Sequence, residues 1–349
     1  MDVPQQTPVS LTQKFVRGEL QYGAWGIIAR VIGLGNTFFI ISALSVYEYG
    51  MFQLLLSGLA ILMEFVSWGG LAVGTHILRF VGRGEEARAK RLFYEYNGLQ
   101  LATAIALWAL LFFGAPLLAL RYDPALIGLV RIMSFMIFTQ LFFSALSTVI
   151  GMRLDFRVLA SRKTINKAFQ LAILAGFFIF SNIGLRELFL SIVVSHFFAS
   201  VTLLPAAIKA WKPWRGLAVA QGSSILWRVA RADGKWASVK NILSQFGNRL
   251  QPWLINLYIS TEAVGIYGVA TALSEIVMQG VPRNTMSTLI SKIYFNRKRS
   301  ARVFTYAAKY LTLWGIAGII GASVVVPIAI YTILPKYILA VPFFYILII

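Results

Sequence analysis

No cysteine occurs among the 349 residues, which excludes disulfides, thiol catalysis and cysteine-ligated metals. Charge is scarce as well: Asp, Glu, Lys and Arg together make up 13% of the chain, about half their share in soluble domains. Acids are scarcest, 13 against 32 Lys plus Arg, and there are two histidines. His76 and His196 both lie near the ends of apolar runs, where an imidazole suits the interface better than catalysis. No acid pair, metal-ligand cluster or cofactor motif stands out, so the chain does not read as an enzyme. The turn Gly82-Arg83-Gly84 has no Gly-Lys-Ser/Thr after it and is not a phosphate loop. The first twenty residues are polar and lack the short apolar core and small-residue cleavage site of a secretory signal.

What is abundant is apolar length. A chain that is 58% hydrophobic with a mean hydropathy of +0.73 reads as an all-α polytopic membrane protein. A hydrocarbon core of roughly 30 Å needs about 20 apolar residues in a helix. Such runs are read at 20–44, 50–78, 95–120, 124–150, 165–183, 187–208, 239–260, 264–290 and 304–333, with a tenth beginning near Tyr337. Twenty-five of the 32 basic residues then share one side, before the first span and in the stretches 79–91, 153–167, 209–240 and 292–309. Four fall on the other: Arg121, Arg131, Arg186 and Lys336. That asymmetry puts the basic loops and the N-terminus in the cytoplasm. It also accounts for most of the +19 net charge, so the charge needs no nucleic-acid partner.

Three basic residues remain, and all lie inside spans: Arg30, Arg249 and Arg283. An arginine at the centre of a spanning helix costs about 2.5 to 3.5 kcal/mol on insertion scales, so it is expected to face a protein partner, a watery cavity or an anionic ligand. Arg30 sits mid-run in Tyr22 to Leu44. Arg249 lies in a polar stripe with Gln245, Asn248 and Asn256. Arg283 is near the basic end of its run, where it either binds a ligand or reaches the interface. Two acids also lie mid-span. Glu64 is either a proton site or the structural partner of Arg30, and Glu275 is read in the same way. Asn36 and Gln140 either contact sugar hydroxyls or join helices by hydrogen bonds. Pro252 and Pro282, close to Arg249 and Arg283, are expected to break their helices there.

The longest loop interleaves tryptophan with base: Trp211, Lys212, Trp214, Arg215, Trp227, Arg228, Arg231, Lys235 and Trp236. Such a pattern can stack on single-stranded nucleic acid, but between two spans an amphipathic segment lying on lipid headgroups is expected. Beyond it the sequence begins again. Ser45 and Gly50 recur as Ser260 and Gly265, each 215 positions later, with Glu64 and Glu275 following and a basic loop after each. Six spans separate the two units, so their orientation is kept, and parallel repeats with a site between them near the midplane are expected. The expected organisation is a cytoplasmic N-terminus (1–19), an N-lobe of six helices (20–208), a basic linker (209–238) and a C-lobe (239–349). That C-lobe reads as incomplete, since six spans would need two more helices.

Several segments together resemble one family. They are the polar N-terminus leading into an arginine-bearing helix, Tyr47-Glu48-Tyr49-Gly50, the basic loop from Arg79 to Arg91, and the restart at Asn248-Arg249 with Glu262-Ala263-Val264-Gly265-Ile266-Tyr267. This pattern resembles the polysaccharide biosynthesis flippases of the multidrug/oligosaccharidyl-lipid/polysaccharide exporter superfamily. The resemblance implies a MATE-like bundle of two lobes and a multi-pass protein of the cytoplasmic (inner) membrane. It implies a transporter that flips a polyprenyl-pyrophosphate-linked oligosaccharide by alternating access, without a cofactor. Arg30, Arg249, Arg283, Asn36, Asn248 and Gln140 would then hold substrate, and Glu64 and Glu275 would couple protons or ions. Partners would be the lipid-linked glycan, membrane lipids and other polysaccharide assembly proteins. A drug/cation antiporter of the same superfamily is the first rival, but it should carry several interior acids. A polysaccharide polymerase or ligase is the second, but it should carry a large outer loop.

Overall fold

The structure, a computed structural model, describes residues 8–118, 124–152, 156–180, 183–280 and 297–348. Every regular element among them is a helix, and the protein is an all-α, multi-pass membrane protein. The α-helices are α1 (Pro8–Ala43), α2 (Val46–Val66), α3 (Gly70–Gly82), α4 (Glu86–Leu118), α5 (Ala125–Ser134), α6 (Met136–Gly151) and α7 (Phe156–Phe180). They continue as α8 (Leu185–Val201), α9 (Leu204–Trp211), α10 (Ile225–Val229), α11 (Lys235–Tyr258), α12 (Thr261–Gly280), α13 (Arg297–Ile333) and α14 (Ala340–Ile348). Among the described residues six segments are long and apolar enough to cross a membrane: Val46–Val66, Glu86–Leu117, Ala125–Gly151, Ser161–Phe180, Leu185–Trp214 and Gly315–Ile333. The expected spans at 20–44 and 239–260 are helical but fall outside this set. α1 is apolar only over Ile28–Ala43, and α11 carries Lys240, Asn241, Gln245, Asn248, Arg249 and Gln251 along its length. The expected span at 264–290 is described only as far as Gly280.

The expected single run at 50–78 is two helices. The chain breaks at 67–69, where Gly69 takes a left-handed φ of 74°, a conformation that costs glycine least. A break inside a membrane helix frees carbonyls that lipid will not satisfy. α4 supplies the missing donors. Tyr96 Oη donates to the Ser67 carbonyl at 3.2 Å, and the buried Gln100 Nε2 donates to the Val66 carbonyl at 3.3 Å. The stretch 47–50 is the first turn of α2.

The chain divides into two compact units, Met1–Met51 with Tyr258–Ile349, and Phe52–Leu257. This partition cuts the chain elsewhere than the expected lobe boundaries, because α1 and the start of α2 associate with α12. Within the first unit the two recurring glycines meet. A Cβ on Gly50 would run into the Thr261 carbonyl oxygen, and one on Gly265 into that of Val46. Thr261 stands 215 positions after Val46, as Gly265 does after Gly50, so the crossing is reciprocal at the offset read from the sequence. The caps match too. Ser45 Oγ accepts from the Glu48 N–H while Glu48 Oε2 accepts from the Ser45 N–H, and Ser260 Oγ accepts from the Ala263 N–H. Lys336 Nζ closes the end of α1 by donating to the carbonyls of Ser42 and Leu44.

In the second unit the basic loop does not simply lie on headgroups. Trp214 is 2% exposed, in a core with Val73, Ile77, Leu92, Phe93 and Val229. Lys90 Nζ donates to the carbonyls of Trp214 and Leu217 at 2.9 and 2.8 Å, and Arg91 holds those of Ala220 and Gly222. Glu95, paired with Arg91 at 2.7 Å, accepts from the Leu226 N–H at the start of α10. The loop expected to be amphipathic is thus a folded clasp on α3 and α4. Lys212, Arg215, Trp227, Arg228 and Arg231 remain exposed.

Candidate functional site

Three helices of the second unit line a half-open cavity of about 340 Å³. α2 contributes Leu56, Leu59, Ala60, Met63 and Glu64, spaced so that one stripe of the helix faces inward. α6 contributes Met136 and Gln140, and α11 contributes Gln245 and Arg249, each pair four residues apart and therefore stacked on one face. The approach of α2 to α11 is set by small against large. A Cβ on Gly58 would lie 3.0 Å from the Trp253 ring, so this position favours glycine. Phe65 and Phe246 meet edge to face with centroids 6.4 Å apart.

The walls are apolar and the polar groups are few and convergent, the usual make-up of a ligand site. Arg249 is exposed into this space and makes no ion pair among the described residues. Glu64 lies within its electrostatic reach, yet the two carry no ion pair. Gln140 lines the cavity, and its Oε1 is buried without a hydrogen-bond partner among the described residues. Met63 and Met136 give the wall unbranched thioethers that adapt to irregular shapes. A volume of this size holds a phosphate-bearing headgroup or a sugar unit, not a whole lipid-linked oligosaccharide.

Of the residues singled out in the sequence, Glu64, Gln140 and Arg249 converge here. Glu64, for which a partnership with Arg30 was one reading, has Arg249 as its charged neighbour. Arg30 and Asn36 lie on α1. Arg30 is exposed and without an ion pair among the described residues, and Asn36 is buried. Glu275 is exposed on α12. Asn248 lies in α11, but its side chain falls outside the described residues, as do Arg283 and Pro282 altogether. Pro252 does not break its helix, since α11 runs on to Tyr258. Gln245, read only as part of a polar stripe, lines the cavity four residues from Arg249. That spacing was the signal that would have assigned it.

Compared with known proteins, the family described as polysaccharide biosynthesis protein matches residues 43–340. A solved structure designated protein A has a TM-score of 0.55 at 12% identity, over 94% of this chain and 74% of its own. At that identity the likeness speaks to fold alone. No curated protein matches the chain significantly.

Proposed function

The chain belongs to the polysaccharide biosynthesis protein family, and we propose that it carries a polyprenyl-pyrophosphate-linked oligosaccharide across the cytoplasmic membrane by alternating access. Family membership gives a role in polysaccharide biosynthesis, among membrane proteins that are generally transporter-like. The observation that carries the finer reading is Arg249, a guanidinium without an ion pair among the described residues, on the wall of a mostly apolar cavity.

A lipid pyrophosphate must cross a medium that does not solvate its charge. Guanidinium presents a planar fork matched to phosphate oxygens and keeps its proton. Gln140 and Gln245 flank it with amide donors and acceptors suited to sugar hydroxyls. Glu64 opposes the grip of Arg249 while it is ionised. A proton on Glu64 leaves the arginine as the sole charge in the cavity, so protonation would strengthen anion binding and its loss would favour release. With basic loops and the N-terminus in the cytoplasm, outward movement of an anion gains about 2.3 kcal/mol per charge per 100 mV. Arg30, Asn36, Asn248 and Arg283 would also bind substrate, and Glu275 would be a second coupling acid. Other polysaccharide assembly proteins would supply and remove the glycan.

The absence of cysteine gives a clean test. Met63→Cys places one thiol on the cavity wall, and its rate of labelling by a maleimide is measured in membranes with and without lipid-linked glycan. Protection by the glycan lipid, and not by the same lipid lacking phosphate, is expected. Equal labelling in all three conditions contradicts the assignment of this cavity.

A further inference from the structure

A second cationic site lies in the same unit, apart from the cavity lining. Arg162 near the start of α7 is 7% exposed, and its guanidinium lies 3.4 Å from the centroid of the Phe143 ring on α6. From α8, His196 Nδ1 is 3.4 Å and Ser200 Oγ 3.5 Å from its Nη2. Its Nε is buried and unpartnered, and no carboxylate among the described residues pairs with it. One turn further along α7, Asn166 is also 7% exposed, with its Oδ1 buried and unpartnered. Lys167 follows and reaches Gln170 Oε1 at 3.3 Å.

A guanidinium keeps its proton in proteins, and a buried charge is tolerated only when paired or stacked. Lysine and histidine can shed their charge, but Arg162 cannot. The Phe143 ring, His196 Nδ1 and the Ser200 hydroxyl supply part of the compensation, but among the described residues Nε has no partner and no carboxylate balances the charge. We propose that Arg162, with Asn166 and Lys167, seats the phosphate of a membrane lipid bound against α6, α7 and α8. Its depth fits. Ser161 opens a membrane-length segment, so Arg162 stands at the level where lipid phosphates lie. Beside it, Phe169 and Phe198 are exposed with ring centroids 6.0 Å apart, an apolar surface along which a lipid chain can run. The basic pocket between helices and the apolar strip together describe a phospholipid rather than a free anion.

The test is thermal unfolding of the full chain in a neutral detergent, with one addition at a time: phosphatidylglycerol, a polyprenyl phosphate, phosphatidylcholine or inorganic phosphate. A saturating anionic lipid should raise the melting temperature by about 3 °C, phosphatidylcholine and inorganic phosphate by much less. The larger shift of the two anionic lipids names the source. Arg162→Gln should lose the lipid-dependent shift. Asn166→Asp, which places a carboxylate one turn from Arg162, should melt higher without lipid and respond less to it. It keeps the test decisive if Arg162→Gln does not fold. The proposal is overturned if no phosphate lipid stabilises the wild type, if inorganic phosphate alone gives the full shift, or if Asn166→Asp responds to lipid as the wild type does.

Discussion

Arg249 and Arg162 bring the same charge into the same unit and meet different company. Arg162 is enclosed by a phenyl ring, an imidazole and a hydroxyl from two neighbouring helices. Among the described residues, Arg249 stands on a cavity wall with no ring beneath it and with a carboxylate that shares its space without pairing. The difference lies in the surroundings and not in the residue type. A boxed guanidinium gives up mobility and serves packing or a long-lived ligand. An unpaired one in a cavity suits a ligand that arrives and leaves.

That contrast can be broken from either side. Phe143→Ala removes the partly buried ring under Arg162, so it should destabilise the protein by about 1 to 2 kcal/mol. Transport per folded molecule should stay near the wild-type value; calorimetry alongside a transport assay separates the two. Gln140→Leu keeps the volume of the cavity wall but removes the amide, and should weaken glycan-lipid binding about three- to tenfold with little change in melting temperature. Glu64→Gln removes the opposing charge near Arg249 and should tighten binding of the phosphate lipid about two- to fivefold. In that variant, pH dependence of transport should flatten; an unchanged profile would remove Glu64 from any coupling role.

The membrane class was legible because hydropathy averages over many residues. Glu64, Gln140 and Arg249 were each legible as a polar group in an apolar run, but their meeting was not, since the sequence suggested Arg30 as the partner of Glu64. Gly50 and Gly265 were legible as a repeat, and their backbone-to-backbone crossing gives the repeat its physical reason. Arg162 was not, because α7 starts earlier than its apolar run and the arginine was counted as a loop charge. The break at 67–69 was hidden because a hydropathy average passes over a short interruption, while the donors that permit it, Tyr96 and Gln100, lie a helix away. The clasp was hidden for a related reason. Lys90 and Arg91 hold backbone carbonyls, and an acceptor that every residue carries leaves no mark in sequence.

The most direct measurement is the rate at which reconstituted Arg249→Ala moves a labelled lipid-linked glycan between leaflets, with Phe143→Ala beside it as a control for stability. Loss of a charge-assisted phosphate contact should slow Arg249→Ala about ten- to hundredfold at an unchanged melting temperature. Transport by Arg249→Ala at the wild-type rate would contradict the account.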